Sequence, residues 1–297
     1  MMDSGSADFW IGGEGCKDEN GTDCVRMIPF RFIRSRFALT FFTTQGSHNY
    51  LGSQTSSTFN DSGKTWKVRY GSGEVQGNIV SDTVNIAGLT LKNHTFGTAL
   101  IESSNITGGD WDGLMGLAGS SLSRQSVLTP VESLAQQGLI REPTVSYKIS
   151  RLSDGLNDGE ITFGGLDDSK FDSETVVTFK SVSTSGFWEA NFTASVNGED
   201  LGFDGIGIFD TGTTLIAVPE ADAQALHAKI PGSGGDGQSG YTIPCNTTAV
   251  VSLTFHGQKF DINPLDLLAF PVDPTNLEGE CYSSIFSLSI GGAHEWM

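Results

Sequence analysis

Two four-residue runs of the sequence repeat the order acid, hydroxyl, glycine, hydroxyl, 207 positions apart. The first is Asp3-Ser4-Gly5-Ser6 and the second is Asp210-Thr211-Gly212-Thr213. Apolar residues adjoin both runs: Phe9-Trp10-Ile11 follows the first, and Ile206-Gly207-Ile208-Phe209 precedes the second. A repeat spaced this widely predicts two related halves, each of which carries one acid loop.

Each residue type in the repeat has a physical role. The hydroxyl directly after the acid can hold a sharp turn, and glycine permits close backbone approach or a positive φ. The second hydroxyl, Ser6 or Thr213, can donate to the outer carboxylate oxygen and keep the acid ionised. Two carboxylates that meet in water-poor surroundings share one proton and can pass it to and from an attacking water, which predicts amide hydrolysis at acid pH.

The simpler interpretation of each run is an ordinary Asp-hydroxyl-Gly turn, because such turns are common in a chain with 38 glycines. Two copies within apolar sequence favour the catalytic interpretation. A glycoside hydrolase would also use two carboxylates, but it gives no reason for two acid-hydroxyl-glycine repeats.

The chain resembles the pepsin-like aspartic proteases, peptidase family A1, over nearly its whole length. It is most similar to their secreted fungal members, of basidiomycete type. Asp3 and Asp210 match the catalytic pair of that family, with Ser4 where threonine is more usual. The run Trp111 to Leu117 is similar to the apolar-apolar-glycine segment that passes behind the first catalytic loop. The shared proton is an established property of this family, and the resemblance carries it over to this chain.

A second region of resemblance is the run Trp66 to Gly73, which is similar to the flap, the hairpin that closes over a bound peptide. The resemblance implies that Tyr70 hydrogen-bonds to Trp10. It also implies that Gly71 and Ser72 contact the substrate backbone.

The resemblance implies a mostly β, bilobal fold of two related barrel-like lobes with few short helices. It implies an aspartic endopeptidase that acts at acid pH on peptides or proteins, without a cofactor or a metal. A monomeric protein, secreted or vacuolar, is expected. The alternative is a catalytically impaired homologue that acts as a binding protein.

Composition agrees with this expectation. The 35 acidic and 17 basic residues give a net charge of −18, which repels nucleic acid. We predict no membrane-spanning stretch, and we place the domain boundary between residues 149 and 150. Strands are predicted at Lys67 to Tyr70, Val75 to Val80, Val84 to Ile86, Val145 to Ile149, Glu160 to Phe163 and Val250 to Phe255. Helices are predicted at Pro130 to Gly138, capped by Thr129, and at Glu220 to Ile230.

The four cysteines allow three pairings. Sequence separation and the resemblance favour Cys16 with Cys24 and Cys245 with Cys281, and therefore an oxidising compartment. Metal binding is the rival interpretation, but no cysteine spacing is typical of zinc and the five histidines are scattered. Six Asn-x-Ser/Thr sequons are compatible with a secreted glycoprotein: Asn20, Asn60, Asn93, Asn105, Asn191 and Asn246.

Compared with the family, we expect this chain to be truncated at both ends. Asp3 stands so early that we expect the signal peptide, the prosegment and the strands before the first loop to be missing. The segment that would pass behind the second loop is expected to stop at Trp296-Met297.

Residues 25 to 45 form a 21-residue run with four arginines, five phenylalanines and no acid. Without this run, Cys24 would join Gly46 as in the family. Because valine codons begin with GT and one glutamine codon ends with AG, we hypothesise an unspliced intron read in frame. A basic aromatic surface loop for anionic membranes or partners and a tolerated insertion are the alternatives.

Overall fold

The computed structural model describes residues 1–24, 26–27, 45–46, 49–109 and 111–297. It divides into two compact units, Met1–Thr144 and Val145–Met297. Each unit is built mainly from β-strands, so the mostly β prediction is confirmed. Of the arginine- and phenylalanine-rich run 25 to 45, only the two short strands at its ends are described. The hypotheses about this run therefore concern residues that lie outside the described part.

The described residues of the first unit form eight strands, two α-helices and a 3-10 turn at Ser120–Leu122. The strands are β1 (Met2–Asp3), β2 (Phe9–Asp18), β3 (Arg26–Met27), β4 (Gln45–Gly46), β5 (Asn60–Tyr70), β6 (Gly73–Ile86), β7 (Leu89–Glu102) and β8 (Gly113–Gly116). The helices are α1 (Ser104–Thr107) and α2 (Pro130–Gln136). Six of the strands form one sheet in the order β1-β8-β2-β7-β6-β5, and β3 pairs with β4.

The long strands β5, β6 and β7 form an antiparallel meander whose alternate residues point into the core. The sequence predicted two separate strands at Val75 to Val80 and Val84 to Ile86, and this division is wrong. A single strand β6 covers both, because a register shift between Asp82 and Val84 absorbs the polar interruption. The core of this region contains Trp10, Trp66, Val68, Val75, Ile79, Ala99, Ile106 and Leu114.

Helix α2 begins as its sequence predicts. The Thr129 hydroxyl accepts from the Glu132 amide, and the Glu132 carboxylate accepts from the Thr129 amide, which completes a capping box. Pro130 occupies the first turn, where its missing N–H is not needed.

The second unit, as far as it is described, contains thirteen strands, one α-helix and 3-10 turns at Leu152–Asp154, Ser173–Thr175 and Pro264–Leu267. The strands are β9 (Val145–Lys148), β10 (Glu160–Phe163), β11 (Glu189–Val196), β12 (Glu199–Ile208), β13 (Ile216–Val218), β14 (Gly234–Asp236), β15 (Gly240–Pro244), β16 (Val251–Phe255), β17 (Gln258–Ile262), β18 (Leu268–Pro271), β19 (Glu280–Ser283), β20 (Ile285–Ser287) and β21 (Glu295–Trp296). The helix is α3 (Glu220–His227), which ends three residues before the predicted end.

The strands of the second unit form four sheets. Their orders are β17-β16-β11-β12-β21, β14-β15-β19-β18, β13-β20 and β10-β9. Strand β11 is central in the largest sheet and alternates buried with more exposed residues along its length. Its buried Ala190, Phe192, Ala194 and Val196 join the core of this unit.

Three of the described hairpins turn through two residues that both have positive φ, as type I′ turns require. These turns are Ala87-Gly88 between β6 and β7, Asn197-Gly198 between β11 and β12, and His256-Gly257 between β16 and β17. Glycine occupies the second position of each turn, where a positive φ is needed. The twist of a type I′ turn matches the right-handed twist of the two strands that it joins.

Both predicted disulfides are present. Cys16 is bonded to Cys24 across eight positions, and Cys245 to Cys281 across thirty-six. The first bond closes a loop that begins on β2, and the second connects the residue after β15 to β19. No helix among the described residues is long and apolar enough to cross a membrane.

Candidate active site

The loop that begins at Asp3 folds back on its own acid. The Gly5 amide donates to Asp3 Oδ1 over 2.9 Å, and the Ser6 hydroxyl donates to Asp3 Oδ2. Asp3 is 6% exposed, so these bonds hold the carboxylate in one orientation in a largely buried place. The hydrogen bond from the second hydroxyl is the one that the sequence repeat predicts.

Strand β8 supports this loop from behind. It runs parallel to β1, with Asp3 opposite Gly116, and the Leu117 amide donates to the Asp3 carbonyl over 2.8 Å. A Cβ on Gly116 would lie 2.5 Å from the backbone of Ala7 and Asp8. Glycine is therefore required here, because only a residue without a side chain lets the two backbones approach this closely.

A buried carboxylate ends the first loop. Asp8 is 2% exposed and accepts from the Ser123 hydroxyl and from the amides of Arg124 and Gln125, over 2.7 to 3.0 Å. The Gln125 side chain donates in turn to the Phe9 carbonyl. These contacts fasten the end of the loop to residues more than a hundred positions away. The sequence analysis did not identify Asp8, because only the fold brings its partners together.

The loop that begins at Asp210 has the same pattern of donors. The Gly212 amide donates to Asp210 Oδ1 over 2.7 Å, and the Thr213 hydroxyl donates to Asp210 Oδ2 over 2.5 Å. Asp210 is half-buried. In both loops, then, the glycine amide binds one carboxylate oxygen and the second hydroxyl binds the other.

The equivalence extends to the strand behind each loop. Trp10, seven residues after Asp3, pairs with Leu114 of β8. Ala217, seven residues after Asp210, exchanges two backbone hydrogen bonds of 2.8 and 2.9 Å with Met297. The two acid loops are therefore the same local structure, formed once in each unit.

The β5–β6 hairpin carries the residues that resemble a flap. The Trp10 indole donates to the Tyr70 hydroxyl over 2.9 Å, which is the contact that the resemblance implies. Burial raises the pKa of the Tyr70 hydroxyl, so it stays protonated throughout the acid and neutral range. Trp10 is 1% exposed and also packs edge-on against Trp111, with ring centroids 5.7 Å apart.

The tip of this hairpin differs from the three type I′ turns. Tyr70 pairs with Gly73, and neither Gly71 nor Ser72 has a positive φ. A turn of this kind matches strand twist less well. Ser103 holds the strand directly after the turn instead: its amide donates to the Glu74 carbonyl and its hydroxyl accepts from the Glu74 amide, both over 2.9 Å.

Within the described residues, one group of potential metal ligands lies close together: Cys16, Cys24 and Glu102. Both sulfurs are joined in the disulfide, so neither is a thiolate ligand. The donor set therefore does not fit a metal ion.

Comparison with known proteins assigns the family. The family model described as eukaryotic aspartyl protease matches residues 1–295. The chain belongs to this family. Its members are pepsin-like proteases, so the resemblance inferred from the acid repeat and the hairpin is confirmed.

Three named relatives of this aspartyl protease are fungal proteins. It is 33% identical over 300 residues to a probable aspartic-type endopeptidase CTSD of Arthroderma otae, across 100% of this chain and 71% of the relative. It is 31% identical over 301 residues to the aspartic-type endopeptidase ctsD of Aspergillus fumigatus, across 100% of this chain and 57% of the relative. With Rhizopuspepsin-4 of Rhizopus niveus it shares 36% over 244 residues, across 80% of this chain and 60% of the relative. The chain therefore spans less than two thirds of the length of two of these three relatives.

Proposed function

We propose that this aspartyl protease is an endopeptidase that hydrolyses peptide bonds at acid pH, with Asp3 and Asp210 as its catalytic acids. The observation that carries the proposal is the identical set of donors around the two carboxylates. Each accepts one amide and one hydroxyl hydrogen bond from residues two and three positions further on. The exposed turn at Asp236 has donors at the same two positions, but both bind the one oxygen Oδ1. In the two acid loops the amide binds Oδ1 and the hydroxyl binds Oδ2, so both carboxylates are held in the same way, as a pair of acids that act on one water requires.

The chemistry follows from a shared proton. One carboxylate is ionised and takes a proton from a water molecule, which attacks the scissile carbonyl carbon. The other is protonated and donates to the carbonyl oxygen, so a tetrahedral diol forms without a covalent enzyme intermediate. The leaving nitrogen then takes a proton from the pair as the C–N bond breaks. Activity falls when both acids are ionised, at apparent pKa values that belong to the pair.

The remaining residues of the two loops support this step in our proposal. The hydroxyls of Ser6 and Thr213 each donate to one carboxylate oxygen, which fixes the orientation of each acid. Ser4 is buried, and Thr211 takes the same place in the second loop.

The hairpin contributes the substrate contacts. We propose that Gly71 and Ser72 bind the backbone of a peptide substrate and that Trp10 positions Tyr70. The hydrogen bond between Trp10 and Tyr70 and the bonds between Ser103 and Glu74 support this role, because they hold the hairpin on both sides of its turn.

The substrate class and the location are part of the same proposal. We propose large apolar side chains on both sides of the cut, a monomer as the active form, and a secreted or vacuolar location. Relatives named vacuolar protease A and Rhizopuspepsin-4 support the family assignment on which these points rest.

The test is cleavage of a denatured protein between pH 3 and 7 by the wild type and by Asp3→Asn and Asp210→Asn. We expect an acid optimum, inhibition by a statine-type inhibitor, and a loss of at least about 100-fold in either variant, because general acid–base catalysis contributes about 10²- to 10⁴-fold. Asp204→Asn, at an exposed acid of β12, is the control and should keep full activity. Full activity in Asp3→Asn or Asp210→Asn, or an optimum above neutral pH, would refute the proposal. Binding of the inhibitor without any cleavage would refute it as well, in favour of a binding protein.

A further inference from the structure

A buried carboxylate lies outside both acid loops, in the first turn of helix α3. Asp222 is 2% exposed. Its Oδ2 accepts from the Trp296 indole over 2.7 Å, and its Oδ1 is 2.7 Å from Nδ1 of His294. Both partners lie in the segment 294–297, so the two oxygens of one carboxylate fix two alternate residues of a single short segment, one just before β21 and one within it.

This segment adjoins the strand that leads into the Asp210 loop. β21 runs parallel to β12, with Gly207 opposite Trp296, and the Ile206 amide donates to the His294 carbonyl over 3.0 Å. On its other side, Met297 exchanges its two backbone hydrogen bonds with Ala217. Residues 294–297 therefore contact the chain both before and after Asp210.

A direct contact connects the segment to the catalytic loop. The Thr213 hydroxyl, which donates to Asp210 Oδ2, is 3.4 Å from the sulfur of Met297. A shift of the segment would move the methionine side chain against this hydroxyl. It would thereby disturb the hydrogen bond that orients the Asp210 carboxylate.

Packing alone does not account for a carboxylate in this place. Burying it is costly, and an apolar side chain of similar volume often gives equal or greater stability. β21 has only two residues, however, and so few backbone bonds to set its position. Hydrogen bonds to Asp222 fix the direction of the Trp296 ring and the place of His294, which apolar contacts would leave less defined.

We infer that Asp222 is a positioning residue for Asp210, acting through Trp296 and the segment 294–297. The inference rests on the proposed endopeptidase function. It assigns a role in catalysis to a residue that does not touch substrate. The role is to hold the Thr213 hydroxyl and the Asp210 carboxylate in one arrangement.

The first test compares Asp222→Asn with Asp82→Asn. Asp82 is also a buried acid that accepts several hydrogen bonds, but it lies in the first unit. In Asp222→Asn we expect kcat to fall about 10- to 100-fold with KM within twofold, since a misplacement of about 1 Å can cost about 100-fold in rate. In Asp82→Asn we expect reduced stability with little change in kcat. Equal kcat losses in both variants, or an unchanged kcat in Asp222→Asn, would overturn the inference.

A double variant separates positioning from stability. In Trp296→Phe alone, one buried oxygen of Asp222 loses its donor, which lowers stability. Asp222→Leu combined with Trp296→Phe removes the carboxylate and the indole N–H together, while the His294 side chain, which is 40% exposed, can bond to water instead. We therefore expect the double variant to regain much of the lost stability. Under our inference kcat stays low in the double variant, because the segment no longer has a defined direction. Recovery of kcat together with stability would mean that the role is structural only.

Hydrogen exchange gives a readout that does not depend on activity. In Asp222→Asn we expect faster exchange of the Ile206 and Gly212 amides, which bond to the His294 carbonyl and to Asp210 Oδ1. Unchanged exchange at both amides would overturn the inference. If the wild type cleaves no peptide at any pH, the proposed function fails, and these two amides still decide whether Asp222 positions the loop.

Discussion

We expect His94 to lower the stability of the folded chain at acid pH, where the proposed enzyme would work. Its side chain is 4% exposed on β7, stacked beside Phe9 and Phe96, with ring centroids about 6 Å away. Its Nε2 is buried without a hydrogen-bond partner among the described residues. Asp82 stands opposite on β6, and its carboxylate accepts from Ser56, Thr58 and the Thr83 amide. Burial lowers the pKa of His94 from its ordinary 6.5 to about 4.

The sign and size of the effect follow from these two pKa values. Below pH 6.5 His94 binds a proton in the unfolded chain, whereas in the folded chain it stays neutral until the pH is near 4. The free energy of unfolding therefore falls as the pH falls through this interval. A difference of about 2.5 between the pKa values corresponds to about 3.4 kcal/mol in total. About 2 kcal/mol of this is lost by pH 5 and about 3 kcal/mol by pH 4.

The perturbation is His94→Phe, which keeps an aromatic ring in the stack and removes the titrating group. The assay is urea unfolding at several pH values from 7 to 4. We expect the variant to lose about 3 kcal/mol less than the wild type over this range. A change in packing shifts the variant equally at every pH, so it does not alter the comparison. His256→Asn, at an exposed turn position with φ 51° that asparagine tolerates, is the control. A pH dependence identical in wild type and His94→Phe would refute the reasoning.

Three further predictions concern the covalent frame, the hairpin and the first loop. Replacing Cys245 and Cys281 by alanine should lower the free energy of unfolding by about 4 kcal/mol, and replacing Cys16 and Cys24 should lower it by about 2.5 kcal/mol. The difference arises because closing the longer loop removes more entropy from the unfolded chain. Denaturant titration would measure both losses, and a larger loss for the shorter loop would contradict the prediction. Trp10→Phe and Tyr70→Phe each remove the hydrogen bond between residues 10 and 70, at a cost of about 1 kcal/mol, so each should lower kcat/KM about fivefold. The double variant should lose no more kcat/KM than either single variant, and additive losses would contradict the coupling. Gly116→Ala places a Cβ 2.5 Å from the backbone of the first acid loop and should lower both activity and melting temperature, whereas Gly165→Ala, which has open space around it, should change neither.

The fold class could be predicted from the sequence because its signals are local. Alternating apolar residues indicated the strands, and the proline and threonine at the start of α2 indicated its cap. Where a signal was interrupted, the prediction failed: polar Asp82 suggested a break, while pairing with β7 carries β6 through it. The domain boundary between residues 149 and 150 stays a prediction. The structure divides into two compact units between Thr144 and Val145.

The candidate site was predictable where one run of sequence contains both the acid and its donors. Asp3 and Ser6 are three positions apart, so the hydroxyl bond could be foreseen. Asp8 and Asp222 could not be identified, because their donors lie 115 and 74 positions away and only tertiary structure places them. In sequence, Asp222 has the ordinary pattern of an acid in the first turn of a helix.

The residues seven positions after each acid differ between the two halves, so the two halves are not interchangeable. The Trp10 side chain donates a hydrogen bond to Tyr70 of the β5–β6 hairpin. Ala217, which is buried at the equivalent position, forms hydrogen bonds only through its backbone. Both halves contain the acid loop with its donors, but only in the first half does the side chain at this position also hold a hairpin. Exchanging residues 3–10 with residues 210–217 would transfer the acids and their donors intact. It would leave the hairpin without its anchor and force an indole into a space that fits a methyl group.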